Sequence, residues 1–231
     1  MNIIRNESLV KRNARIAQIT MLGGLAVLAG GMFVSFRYPE QLGLSLGALM
    51  LGFLLSQVGI FFTNRWGRHP RPDEHLDQAL KGLDKKYSLY HYTTPVSHLL
   101  VGPAGVWVLI PQNQRGTITY EKGRWRQRGG NLYLKIFAQE GLGRPDLEVG
   151  GEIERMQRFL EERSPEGNLP SIQAALVFTH PDVKIEIQED ADIPAETVAA
   201  NKLKDLIRKA SKTKTLSMNQ AQQIKDLLVR S

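Results

Sequence analysis

The chain has 231 residues, enough for one domain of ordinary size with an appendage. It contains no cysteine, which excludes a disulfide framework, a thiolate metal site and a cysteine nucleophile together. Of the formal charge of +7, residues 1–15 contribute +3 through Arg5, Lys11, Arg12 and Arg15 against Glu7. Arg37 and Glu40 cancel, so +4 remains for residues 64–231, a mild excess that permits anionic partners without requiring them.

In chain order, residues 1–15 read as a basic cytoplasmic segment. Residues 16–36 and 42–63 are two stretches without a formal charge. A bilayer core takes about 20 apolar residues in helix, so each stretch is long enough to cross, and the link 37–41 permits only a tight hairpin. Lys11, Arg12 and Arg15 before the first span, with Arg65, Arg68 and Arg71 after the second, place both flanks in the cytoplasm by the positive-inside rule. The sequence therefore predicts a multi-pass protein of the inner (plasma) membrane, with N- and C-termini cytoplasmic and membrane lipids as its first partners. A cleaved signal peptide is the competing reading of the first stretch. Trp66 falls where an interfacial anchor is expected. The spacings Gly43/Gly47 and Ala48/Gly52/Ser56 suit close helix approach, read as packing within the hairpin with dimerisation as the alternative.

Residues 64–72 read as a linker with Pro70 and Pro72, and residues 73–231 as one α/β (α+β) soluble domain. Pro72-Asp73-Glu74 suits a helix start, with Leu76, Leu80 and Leu83 on one face, predicting a helix at 73–84. Strands follow at 87–93, 97–101 and 105–110, the last apolar at every position as in a strand buried on both faces. A meander is expected at 117–120, 124–128 and 132–137, then a helix at 146–162 and strands at 172–179 and 183–187. Two helices close the prediction at 202–210 and 218–229, the second opened by Ser217 with Gln220 as a capping box.

The segment Ser97-His98-Leu99-Leu100-Val101-Gly102-Pro103-Ala104-Gly105-Val106-Trp107-Val108-Leu109-Ile110-Pro111-Gln112, with Gly116 beyond it, resembles the core of the nuclease-related domain family, NERD. The resemblance spans about 73–179 and implies a restriction-endonuclease-like core, with Glu74 matching the family's helix acid. It also implies a departure. The family's aspartate falls at Ser97, its glutamate at Ile110 and its lysine at Gln112. The family's chemistry needs two carboxylates to hold a divalent ion that activates water, and a lysine to stabilise charge near the phosphate. Only Glu74 of that set remains, so the expectation is a pseudoenzyme with no catalytic residues and no cofactor. The alternatives are a metal-dependent nuclease with a rearranged site using His98 and Glu74, with magnesium or manganese, and a membrane-associated scaffold for a protein partner.

A period of two puts Arg124, Arg126 and Arg128 on one face of their strand, with Trp125 and Gln127 on the other. With Arg115 and Lys122 they form the candidate surface for nucleic acid or anionic lipid, weighed against an ordinary solvated hairpin face. The basic series from Lys202 to Lys214 reads as a solvated helix face and linker, with contact to an acidic partner as the alternative. The oligomeric state is not legible in the sequence.

Overall fold

The computed structural model describes residues 1–129, 141–164, 169–188, 191, 193–213 and 216–229, and the strand expected at 132–137 lies outside them. The chain divides into two compact units, one of residues 7–71 and one combining Met1–Asn6 with most of the chain from Pro72 onward.

The first unit is a helical hairpin of α1 (Glu7–Arg37) and α2 (Leu42–Phe62), continued by a π-helical turn at Thr63–Gly67. Both helices are long and apolar enough to cross a membrane, with 18-residue windows of mean hydropathy 1.9. Only 11% and 17% of the residues in those windows are buried, unlike the core helix of a soluble protein. The 31 residues of α1 span about 46 Å, so its charged first turns extend beyond an apolar core of about 30 Å.

Small residues seat the two helices on each other. A Cβ on Gly24 would stand 2.8 Å from Ser56 Oγ, one on Gly52 2.7 Å from Leu28 Cγ, and one on Gly59 2.8 Å from Met21 Cγ. Ser45 Oγ donates to the Gly31 carbonyl across the interface at 3.2 Å. Gly52 and Ala48 thus pack within the hairpin, whereas a Cβ on Gly43 or Gly47 would meet nothing within 4 Å. The sequence pattern therefore holds two sets of small residues with different surroundings.

In the second unit, β1 (Asn2–Arg5) precedes the hairpin. After it come α3 (Pro72–Ala79), β2 (Ser88–His91), β3 (His98–Gly102), β4 (Gly105–Gln112), β5 (Gly116–Glu121) and β6 (Arg124–Arg128). Then follow α4 (Pro145–Arg163), β7 (Ile172–Phe178), β8 (Val183–Glu186), β9 (Glu196–Ala199), α5 (Ala200–Thr213) and α6 (Met218–Val229). Among the described residues the strands form a mixed sheet ordered β1-β2-β3-β4-β7-β9 and a small sheet ordered β6-β5-β8. The unit is α+β.

The residues read as one basic segment, 1–15, are divided: Asn2–Arg5 pair in parallel with Ser88–His91, and α1 begins at Glu7. A four-residue strand whose partner lies 86 positions away has no local signal. The first soluble helix starts one residue earlier than expected and ends at Ala79, because Gly82 takes φ 87 and closes the turn. Strand β9 has no counterpart in the sequence reading.

β2, β3 and β4 are antiparallel, and α4 carries the chain from β4 to the parallel β7. One sheet face packs Leu99, Val101, Val108 and Ile110 with Met156 and Leu160 of α4 and Ile224 of α6. The other packs Leu100, Trp107 and Leu109 with Leu76 of α3, Leu80 just beyond it, and Leu203 and Ile207 of α5. Strand β4 is buried along Val106–Ile110, which its apolar run predicts. The Val101-Gly102-Pro103-Ala104-Gly105 turn has a packing explanation: a Cβ on Gly102 would sit 2.3 Å from the Tyr87 ring, and Gly105 adopts φ 104.

Candidate functional site

Ile110 and Gln112 belong to the sheet face covered by α4, and Ser97 stands in the bend just before β3. Leu99 pairs with Val108 in antiparallel register, so Ser97 and Ile110 lie two positions beyond that pair on the same side of it. Ile110 is 4% exposed and packed in the core, and the largely buried Gln112 donates through Nε2 to Glu148 Oε2 on α4 at 2.9 Å. An apolar side chain and an amide already engaged with a carboxylate have taken the positions the resemblance gives to a metal ligand and a cation. Glu74 is carried by α3, which packs over the opposite face. The structure sets Ile110 and Gln112 on one sheet face and carries the helix acid on α3, over the other.

That opposite face holds a polar constellation the sequence did not reveal. His91 and His98 are a cross-strand pair of β2 and β3, both buried, and their Nδ1 atoms lie 2.8 Å apart. His91 Nε2 lies 3.1 Å from Asp77 Oδ1. Arg5, at the end of β1, bridges Asp73 through Nε at 2.8 Å and Asp77 through Nη2. Asp73 and Asp77, four apart on α3, share one helix face, and the Asp73 side chain is fully buried. With Asp77 ionised, His91 donates from Nε2, and the roles of the two Nδ1 atoms follow the tautomers of the two rings.

Burial pushes the Asp77 carboxyl up, but the hydrogen bond from His91 and the charges of His91 and Arg5 outweigh it and hold the group below its ordinary value of 3.8. The ring of Tyr92 meets His98 edge-on at 4.9 Å, and its backbone sits at φ 57, a left-handed conformation costly for a bulky residue. His98 is a hydrogen-bonded strand residue partnered by His91. Among the described residues no group of three or more His, Asp or Glu is arranged to hold a metal ion.

The arginines occupy the small sheet. In β6, Arg124, Arg126 and Arg128 are exposed and alternate with half-buried Trp125 and Gln127, so all three cations share the outer face. Trp125 packs against the core and meets Tyr120 at 5.1 Å, which fixes the strand's rotation. Lys122 (φ 53) and Gly123 (φ 73) form the two-residue turn between β5 and β6, with the Lys122 side chain exposed. Arg128 pairs with Glu121 at 3.2 Å in an exposed contact worth about 0–1 kcal/mol. The half-buried Arg115 stands at the start of β5, where its carbonyl accepts from Gln127 Nε2.

No family model matches the chain, and no curated protein or solved structure is detectably similar to it.

Proposed function

We propose that this chain is a membrane-anchored binding module. Its transmembrane hairpin holds a catalytically inactive, nuclease-related domain at the cytoplasmic face of the membrane, where that domain binds nucleic acid. The observation that carries the reading is the exposed row Arg124, Arg126 and Arg128, three cations about 6.7 Å apart on one face of β6, beside Lys122 and Arg115.

Two further features support it. The order of α3, three antiparallel strands, a crossover helix and a parallel strand, with a helix on each face, is the order expected of a restriction-endonuclease-like core. The large sheet takes β1 from before the hairpin and its other strands from after it, so both flanks share one compartment. The basic flanks support the cytoplasm as that compartment. A cut at the end of α1 would separate β1 from the sheet it completes, which favours retention of the first span.

The test is fluorescence anisotropy of labelled DNA and RNA titrated with the full chain in nanodiscs of neutral lipid. A fragment starting at Asn64 would lack β1. Binding that weakens steeply with salt and is lost in an Arg124/Arg126/Arg128→Ser variant supports the reading; no binding at low salt refutes it. A cytoplasm-dependent reporter fused to the C-terminus should be active, and periplasmic activity there would overturn the orientation.

A further inference from the structure

The lysines that the sequence scatters between two distant segments converge on one surface. The loop Lys81–Lys86 carries Lys81, Lys85 and Lys86 with the single acid Asp84, and all four are exposed. Helix α5 lies along this loop: Lys204 Nζ donates to the Lys81 carbonyl at 3.2 Å, and Ser211 hydrogen-bonds Tyr87. Leu203 and Ile207 turn the other side of α5 into the core. Lys204, Arg208 and Lys212, spaced four apart, therefore form a row beside the loop lysines. From α6, Lys225 Nζ reaches the Lys86 carbonyl at 2.8 Å. Asp205, one residue off the row, leaves six cations against two acids before Lys225 is counted. The whole of residues 64–231 nets only +4, so most of that excess gathers here.

The position of the surface within the sheet unit bears on its partner. β1, β2, β4 and β7 run the same way, and their C-terminal ends lie at Arg5, His91, Gln112 and Phe178. The chain leaves this unit at Asn6 and re-enters it at Pro72 at that same end, where Arg5 meets Asp73. The small sheet with the arginine row branches from it too, through β5 after β4 and β8 after β7. The lysine surface is at the other end: the Met1 nitrogen donates to the Leu83 carbonyl, and Asn2 N to that of Tyr87. Five residue steps along β1 put about 17 Å between the two ends.

We infer that this surface, built from the Lys81–Lys86 loop and the Lys204/Arg208/Lys212 row, is a second, sequence-independent contact for the phosphate backbone of duplex nucleic acid. It rests on the reading of this unit as a nucleic-acid-binding module and deepens it by naming a surface remote from both points where the chain joins the hairpin. Lysine ammonium groups act as point charges on phosphate, and no aromatic side chain interleaves with the row to stack on bases. Those features fit backbone contact without base readout.

The test compares the full chain in neutral-lipid nanodiscs with a Lys85→Gln/Lys86→Gln/Arg208→Gln/Lys212→Gln variant, using labelled duplex DNA across a salt series. Lys204 and Lys225 are left intact because they bind backbone carbonyls. Affinity should fall at least tenfold at low salt, and the slope of log affinity against log salt should shrink by about 0.9 for each phosphate contact removed. An Arg208→Lys/Lys212→Arg variant, which keeps the charge, should bind as the parent does and thereby separates lost contact from lost folding. Parental affinity in the glutamine variant, with binding abolished in the Arg124/Arg126/Arg128→Ser variant, overturns this surface and leaves the functional reading standing. Absence of duplex binding by the parent chain sinks both. Loss in the glutamine variant alone supports this surface and removes the arginine row from the functional reading.

Discussion

The hairpin and the sheet unit solve the packing problem with opposite materials. In the hairpin the closest approaches are made by glycine, and Leu22, Leu25, Leu44 and Met50 point outward with 60–68% of their surface exposed. In the sheet unit the centre is Leu, Val, Ile, Phe and Trp, and the Arg5, Asp73, Asp77, His91 and His98 side chains that enter it are mutually bonded. The difference fits a hairpin in lipid, as proposed, beside a sheet unit in water. Between helices in lipid, burial of apolar surface drives little, so backbone proximity and van der Waals contact decide. In water the apolar area removed is the main favourable term, and each buried charge needs a partner.

The sharpest way to break the contrast is Arg5→Ala. It withdraws a guanidinium from the fully buried Asp73 carboxylate and should destabilise the sheet unit by about 3–5 kcal/mol, read by thermal or denaturant unfolding of the full chain in detergent. A variant with unchanged stability would show that β1 is not clamped by charge. Second in size is Gly52→Leu, whose Cβ meets Leu28 at once; it should weaken the hairpin by about 1–3 kcal/mol. Gly47→Leu, with open space around it, should be neutral. Equal effects at the two glycines would refute the division into inward and outward sets.

The smallest effect is acid sensitivity. Asp77 has a depressed pKa in the fold, so the stability it confers is complete above its unfolded value and is lost as pH falls through the lower folded value. Asp77→Asn should flatten the unfolding profile below about pH 4 while leaving the hairpin unaffected. An unchanged slope in that range would show that other carboxylates govern it.

The apolar runs and turn signals made most of the sheet unit legible. Strand β4 declared itself by five consecutive apolar residues, β6 by strict alternation, and α6 by the Ser217 and Gln220 cap, realised as Gln220 N donating to Ser217 Oγ. Those signals are local, so a single sequence carries them. The Arg5, Asp73, Asp77, His91 and His98 constellation was not legible. Asp73 looked like an acid at a helix start, His98 like a strand residue, and Arg5 like part of a basic flank. Each is ordinary locally, and the partners lie 7 to 72 positions apart. The spacing of Asp73 and Asp77 on one face of a short helix was the available clue, and it needed the buried strand opposite to give it meaning. The lysine surface escaped for the same reason, since its two halves are separated by more than a hundred residues.

The pairing of β1 with β2 has a consequence for biogenesis. On a ribosome the residues of β1 emerge first, yet the strand they hydrogen-bond appears only after the whole hairpin has been made. On the proposed membrane topology, the edge of the sheet stays open until both helices have been made, and it closes when the two ends of the hairpin lie on the same side. A chain inserted with a single crossing would strand β1 across the bilayer from its partner, with Arg5 separated from Asp73 and Asp77. On the proposed topology, molecules threaded incorrectly should present an incomplete domain to cellular proteases.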